Sequence, residues 1–361
     1  MKPASLLRSR AVEATRQTRP TPIRFAAVGL GWVTTHRHIP WLRRTTGAQL
    51  IGVIDRRADR VTKATAEFGV SLGAVSSDAD GVPWLDDIDA VTIGTSPMSH
   101  HAVASGFLRR GKDVLLEKPL TMTVEESRDL TDLASRNDRV LGVVHNFQFA
   151  RSVRRALLLL ERGSLGPLRE VWGLQLSNPL RRLPDWYEEL PLGLFYDESP
   201  HFFYLMRRFL GDGVTVGNTS VVRHPGRQTP VSVGAQLENG TVPGRIDMHF
   251  EAPVSEWQLM VVGSRRLAVV DIFRDILVTL PNDGEHSARE ILRTSAEAGA
   301  RHLVGAVTSG VLHASGRLAY GNDEVMHRFV SSCRTRSQPR GIGGQDGAAV
   351  VALQHAVLAA V

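Results

Sequence analysis

The rhythm of hydrophobic and polar positions changes once along the chain, near residue 150. Before that point, short continuous apolar runs alternate with amphipathic stretches. Segments 23–29 (IRFAAVG), 48–55 (AQLIGVID), 88–95 (IDAVTIGT), 113–117 (DVLLE) and 139–145 (RVLGVVH) read as buried strands. Segments 32–45, 56–68, 99–110 and 123–136 read as helices, the first kinked at Pro40 and closed by Gly47. Thr123 with Glu126 three positions on has the spacing of a capping box. Strands and helices alternating at this pitch predict a parallel sheet covered on both faces.

After residue 150 one helix, about 152–162, ends at Gly163, and strand-like runs then dominate: 168–176, 214–222, 231–237, 241–250, 257–262 and 267–273. Asn239-Gly240 between two of them is a hairpin signal. A helix over 199–210 interrupts the set, and helical pattern returns after 286. The prediction is an α/β unit followed by an α+β unit: a doubly wound parallel sheet over 22–146, then an open, mainly antiparallel sheet over 147–361.

Composition narrows the class. The chain has 361 residues, 42% hydrophobic and 22% charged, enough apolar material for two cores without covalent staples. A single cysteine, Cys333, excludes an intramolecular disulfide and a Cys-rich zinc site, and reads as an inert thiol. The longest apolar runs, such as ALLLL at 156–160, fall far short of the roughly 20 residues of a membrane span. The net charge is +6, of which +4 lies in residues 1–21, read as a disordered basic leader without a secretory core. No basic stripe remains in the rest, which argues against nucleic acid as a partner. The expectation is a soluble, cytoplasmic protein.

Candidate chemistry begins at residues 28–34, VGLGWVT. Gly29 permits a tight turn, and Gly31 lets the backbone approach a pyrophosphate at the N-terminus of the following helix. Leu30, Trp32 and Val33 complete this turn, and Thr34 stands where a third glycine is usual. Asp55 ends the second strand 24 residues after Gly31, placed to accept hydrogen bonds from ribose hydroxyls and to repel a 2′-phosphate. Arg56 and Arg57 next to it offer adenine stacking or a 2′-phosphate partner. The balance favours NAD, with NADP as the alternative. TSPMSHH (95–101), with Thr95, Ser96, Pro97 and His101, follows a strand at the edge where a nicotinamide ribose would lie. LLEKPL (115–120) sets Glu117 and Lys118 at another strand's carboxyl end, where such sheets bind ligands. In YDESPHFF (196–203), Ser199 reads as an N-cap and Pro200 as the first helical residue. His201 then falls in a first turn, whose dipole disfavours imidazolium. His36 and His38, two apart on a helix, face different ways, so no metal site is expected.

Together these marks resemble the Gfo/Idh/MocA family of oxidoreductases (glucose–fructose oxidoreductase, inositol dehydrogenase and relatives). The resemblance runs from about residue 22 to the C-terminus. It rests on VGLGW, the strand-end Asp55, His101 four residues after Pro97, EKP at 117–119 followed by PLTMTVEES, and the run Asp197-Glu-Ser-Pro-His201-Phe-Phe-Tyr204. It implies an N-terminal Rossmann domain, a C-terminal sheet that often mediates oligomers, and a catalytic set of Lys118, Asp197 and His201. Asn146 in HNFQFA resembles a family asparagine placed at the cofactor. The chain departs from the pattern at Ser199 (glycine expected), Tyr204 (aspartate) and Gln148 (arginine), all on the substrate side.

The expected chemistry is hydride transfer between nicotinamide and a secondary alcohol or ketone of a sugar, cyclitol or related polyol. His201 is the expected general base, Asp197 its orienting partner, Lys118 the donor to the reacting oxygen, and Glu117 the group that orients Lys118 or meets the ribose. Trp186 is a candidate stacking surface for a sugar ring, with Arg181, Arg182 and Asp185 reading hydroxyls. A homo-oligomer, dimer or tetramer, is expected. The alternatives are transient oxidation by tightly held NAD, for epimerisation, elimination or glycoside cleavage, and a non-catalytic NAD-binding regulator.

Overall fold

A computed structural model describes residues 21–285 and 287–361; most of the basic leader lies outside them. The first unit is built from strands β1 (Ile23–Val28), β2 (Ala48–Asp55), β3 (Leu72–Val75), β4 (Ala90–Ile93), β5 (Asp113–Leu116) and β6 (Leu141–Val143). They form one parallel sheet in the order β3-β2-β1-β4-β5-β6. This is the doubly wound order, whose reversal between β1 and β4 opens a ligand crevice at the strands' carboxyl ends. Strands β4, β5 and β6 are buried at every position, as a sheet covered on both faces requires. The covering helices include α1 (Ile39–Arg44), α2 (Ala58–Phe68), α3 (His100–Arg109) and α4 (Val124–Arg136). At the start of α4, Thr123 accepts from the Glu126 N–H at 3.1 Å, and Glu126 accepts from the Met122 N–H at 3.0 Å. Strand β3 has no counterpart in the sequence reading, because its LGAV run is only four residues long, and in the structure it buries only Ala74.

Helix α5 (Arg151–Glu161) leads into the second sheet, ordered β13-β12-β11-β7-β10-β9-β8. Its strands are β7 (Leu168–Leu176), β8 (Thr215–Val222), β9 (Ser232–Asn239), β10 (Val242–His249), β11 (Glu256–Gly263), β12 (Arg266–Asp271) and β13 (Ile276–Pro281). Only the β7–β10 pair is parallel. The Asn239-Gly240 turn joins β9 and β10, with Gly240 at φ +63°. The predicted strand over 267–273 stops instead at Asp271. Ile272 and Phe273 sit in the turn before β13 yet still pack on the core, so the apolar run outlasts the strand.

Between β7 and β8 runs α6 (Leu194–Leu210), packed against this sheet with Phe202, Phe203 and Met206 fully buried. It starts five residues earlier than expected, so Ser199 and Pro200 are interior and His201 lies near mid-helix, not in a first turn. The cap comes from far away: the Leu194 N–H donates to Thr229 Oγ1 at 3.1 Å. Pro200 has no N–H to offer the Tyr196 carbonyl, and buried Gln354 supplies its Nε2 instead at 2.7 Å. The chain then forms the long helix α7 (Ala288–Ala314) before returning to the first sheet. In α8 (Asn322–Thr335), Phe329 packs 6.1 Å from Phe25 of β1, and α9 (Gly344–Ala359) sends Val351 into the first core and Val350 into the second. Among the described residues no helix is long and apolar enough to cross a membrane.

Candidate active site

The glycine turn follows β1 directly. Gly29 has φ +76°, and a Cβ there would come within 2.6 Å of Thr95 Cγ2 and 2.9 Å of the Thr95 nitrogen. Only glycine serves at that point. The helix then starts at Trp32, and its first turn presents backbone N–H groups without intrahelical acceptors. A π-helical turn (Thr34–His38) precedes α1. Thr34 is fully buried in the third-glycine position and is accommodated by Gly94 just past β4, where a Cβ would overlap its hydroxyl. The close helix–strand packing is thus supplied from the other side.

Asp55 ends β2 with its carboxylate drawn inward: the residue is 4% exposed. One oxygen accepts from the Leu30 N–H at 2.7 Å and the other from the Arg57 N–H at 2.9 Å, so Asp55 also braces the glycine turn. Arg57 is engaged by Asp59, whereas Arg56 is exposed. These features suit a dinucleotide: a turn with room for a pyrophosphate, free N–H groups, and an acid at the adenosine end.

At the ends of β4 and β5 two buried histidines, not foreseen in these roles, hold the loops. His38 Nε2 lies 2.9 Å from Glu117 Oε1 and its Nδ1 2.8 Å from Thr92 Oγ1. His100 Nδ1 lies 2.7 Å from the Pro119 carbonyl and Nε2 3.3 Å from that of Thr95, tying the TSP and EKP segments together. Pro97 is buried at the start of the 3-10 turn that Ser96 opens, and Ser99 donates to Thr95 Oγ1 at 2.9 Å. His101, expected at the cofactor, is instead held 2.8 Å from Asp129 on α4. One residue of helix advance separates His100, facing in, from His101, facing the neighbouring helix.

Lys118 is mostly buried and donates to both the Asp197 carbonyl (2.8 Å) and Asp197 Oδ1 (2.6 Å). An ammonium has three N–H bonds, so one remains for a ligand. Burial opposes its charge, but Asp197, Glu117 and Glu198 together outweigh that and hold its pKa above the usual lysine value. Glu117 keeps a depressed pKa despite burial because His38, Lys118 and the Lys118 N–H stabilise its charge.

His201, one turn after Asp197, is enclosed by Phe147 (4.8 Å), Trp257 (5.2 Å) and Tyr204 (5.7 Å between ring centroids). Its Nδ1 lies 2.8 Å from the Tyr204 hydroxyl, not on Asp197, whose carboxylate goes to Lys118. The expected partnership is therefore replaced: Asp197 anchors the lysine, and Tyr204, the departure from the family signature, orients the imidazole. Tyr204 is fixed in turn by the Phe147 N–H (3.0 Å), by Asn146 Oδ1 (3.5 Å) and by stacking on His145 at 4.5 Å. Burial first, then Lys118 and His145, push the His201 pKa well below the ordinary histidine value. The neutral ring thus results from packing, and no helix-terminal dipole is needed. Gln148, at the family's arginine position, donates to the carbonyls of His145 and Gly341.

Trp186 and Asp185 lie before the 3-10 turn Tyr187–Glu189. Arg181 is ion-paired with buried Glu198, while the Arg182 guanidinium sits 4.5 Å from the Trp32 ring centroid. A cavity of about 840 Å³ lined by Leu183, Tyr187, Glu188, Arg227 and Phe250 adjoins this segment, but none of Lys118, Asp197 and His201 lines it. The described residues contain no cluster of three metal-ligating side chains. Cys333 is buried, and its thiol pKa is pushed up by that burial.

Residues 23–145 match the model of an oxidoreductase family with an NAD-binding Rossmann fold. The chain is 27% identical over 209 residues to a 1,5-anhydro-D-fructose reductase of Ensifer adhaerens, covering 55% of this chain and 61% of that protein. It is 30% identical over 153 residues to a dTDP-3,4-didehydro-2,6-dideoxy-alpha-D-glucose 3-reductase of Actinomadura kijaniata, covering 41% and 44%. The alignments span about half the length of such curated relatives. Among solved structures, an oxidoreductase from Agrobacterium radiobacter in complex with NAD+, L-tartaric acid and magnesium superposes with a TM-score of 0.74 at 16% identity, covering 94% of this chain and 96% of that one. A 3-ketoreductase from Actinomadura kijaniata in complex with NADP and TDP-benzene gives 0.72 at 18%, covering 93% and 97%. At such identities the likeness is one of fold. The matched Rossmann unit, the glycine turn and the EKP segment agree: over residues 23–145 the chain is similar to the Gfo/Idh/MocA family of oxidoreductases.

Proposed function

We propose that the protein is an NAD(P)-dependent oxidoreductase that interconverts a secondary alcohol and a ketone on a sugar, cyclitol or related polyol, with Lys118, Asp197 and His201 as its working set. The observation that carries the reading is the placement of Lys118: it donates twice to Asp197 and keeps one N–H free, while His201, one helical turn after Asp197 on α6, is held neutral by its surroundings. The relatives named as sugar reductases favour the same substrate class.

Nicotinamide, when bound, supplies the hydride acceptor or donor. The first-turn N–H groups after Gly31 would hold the pyrophosphate, and Asp55 would meet the adenosine ribose, its charge favouring NAD over a 2′-phosphate. With the Nδ1 proton donated to Tyr204, His201 Nε2 carries a lone pair and takes the hydroxyl proton during oxidation. During reduction it returns that proton. Lys118 donates its remaining N–H to the substrate oxygen and stabilises the alkoxide charge as it develops. Because Asp197 fixes the ammonium beforehand, little reorganisation is needed at the moment of reaction. A homo-oligomer belongs to this reading, supported by Leu292, Leu303, Val304, Val307 and Val311, which stand exposed along α7.

The test is a panel of sugars, cyclitols and nucleotide-sugars assayed with NAD+, NADP+ and their reduced forms at 340 nm, alongside equilibrium binding of each coenzyme. Coenzyme binding at micromolar concentrations and turnover with one substrate group are expected. Absence of binding by either coenzyme would overturn the reading.

A further inference from the structure

The mouth of the crevice carries cationic groups that the chemistry above does not use. Trp32, just after Gly31, is 41% exposed. Two guanidinium groups gather on its ring: Arg37 from the turn before α1, at 5.3 Å, and Arg182 from the second unit, at 4.5 Å. Arg37 also lies 5.7 Å from the ring of Tyr320. The Tyr320 ring contacts Phe147 at 6.0 Å, and Phe147 contacts His201 at 4.8 Å. One continuous wall therefore runs from the phosphate turn to the candidate base, with both arginines on its outer half.

Three charged groups deeper in the site are matched. Lys118 has Asp197, Arg181 has Glu198, and Glu117 has His38. Among the described residues neither Arg37 nor Arg182 has a carboxylate within ion-pair distance; aromatic faces are their only recorded partners. A cation–π contact engages the face of a guanidinium and leaves its N–H donors to solvent, open to exchange for a ligand's oxygens. Two like charges on one indole also repel, and a shared anion relieves that repulsion. Guanidinium forks bind carboxylate and phosphate oxygens in bidentate fashion.

We infer that Arg37 and Arg182, gathered on Trp32, bind an anionic group that the substrate carries away from its reacting carbon, so that the preferred substrate is an acidic sugar derivative bearing a carboxylate or a phosphate. This rests on the oxidoreductase reading and adds its substrate class. Because the two arginines come from different units, the same anion also draws the segment bearing Arg182 against the phosphate turn.

The experiment titrates NAD+-saturated protein with D-glucose, D-glucuronate, D-glucose 6-phosphate and a nucleoside diphosphate, following tryptophan fluorescence and calorimetry. The wild type is expected to bind at least one anionic probe tenfold or more tighter than glucose. Arg37→Gln, Arg182→Gln and the double variant should lose that margin stepwise while the NAD+ dissociation constant stays within about threefold. Which probe wins assigns the group: glucuronate a carboxylate, the phosphate and diphosphate probes a phosphoryl group. Equal binding of glucose and every anion, no saturable binding of any anion, or an anion preference that survives in the double variant would each overturn the inference. So would a loss of NAD+ affinity in Arg37→Gln that matches its loss of anion binding, because Arg37 would then serve the coenzyme's pyrophosphate. If NAD+ itself fails to bind the wild type, the fault lies with the oxidoreductase reading.

Discussion

The two sheets contribute to the crevice in different ways. The parallel sheet delivers its groups through backbone: the Gly29 turn, Asp55 at the end of β2, and Glu117 and Lys118 just past β5 all stand where a strand stops. The antiparallel sheet delivers none from a strand end. It supports α6, and the groups on that helix take their state from what surrounds them. Asp197 is committed by Lys118, and His201 is made neutral by Phe147, Trp257 and Tyr204. A strand end fixes a position whatever the side chains around it. A packed helix fixes a protonation state only if its neighbours are right.

Substitutions on the two sides separate these modes. The largest effect is expected from Lys118→Ala, which removes the proposed donor to the reacting oxygen: turnover should fall roughly 10²–10³-fold while coenzyme affinity changes only a few-fold. Steady-state rates and coenzyme titration check this, and turnover within tenfold of wild type would remove Lys118 from the chemistry.

Just past β6, where the strand ends meet α6 through the stack on Tyr204, His145 is buried with its Nδ1 unpartnered, and its pKa is pushed down to about 3 by burial and by Arg207. The unfolded chain takes up that proton below about pH 6.5, so stability is lost as pH falls through that value, by about 2 kcal/mol between pH 8 and pH 5. His145→Phe keeps the stack on Tyr204 and removes the proton site. Urea midpoints of the variant should therefore depend less steeply on pH over that range, and an unchanged slope would place the acid lability elsewhere.

A smaller effect, about tenfold on kcat with KM little changed, is expected for Tyr204→Phe, which leaves the ring in place and strips His201 Nδ1 of its partner. The acidic limb of the pH–rate profile should move with it. A profile identical to wild type would mean that the aromatic cage alone orients the imidazole. The smallest separation concerns Asp55→Ala. NAD binding should weaken by about tenfold and NADP binding by less, since the variant loses a ribose acceptor but also the charge that repels a 2′-phosphate. Equal losses for both coenzymes would make Asp55 a brace of the glycine turn and nothing more.

Legibility in the sequence followed the same division. Gly29, Asp55 and Lys118 were readable because a turn, a strand end and a proline after the lysine leave local marks. His38 and His100 carry no such mark: their partners, Glu117 and the Pro119 carbonyl, lie 79 and 19 residues away. Spacing from Pro97 points to His101, but it cannot tell which of two adjacent helical residues faces the sheet, and it is His100 that meets the Pro119 and Thr95 carbonyls. The start of α6 was misplaced because Ser199-Pro200 has the chemistry of a helix start, while the true cap is Thr229 on another segment.

The sequence by itself determined that a parallel sheet would precede an antiparallel one, that a glycine turn would follow the first strand, and that a lysine would stand at a strand's end. Such features are set by periodicity, by the wide dihedral range of glycine and by the narrow one of proline, which act over a few residues. Only the tertiary structure decided that Asp197 holds the lysine, that Tyr204 holds the histidine, and that two arginines from separate units share one tryptophan. Those pairings depend on burial and on distances between segments far apart in the chain, and no local rule carries either.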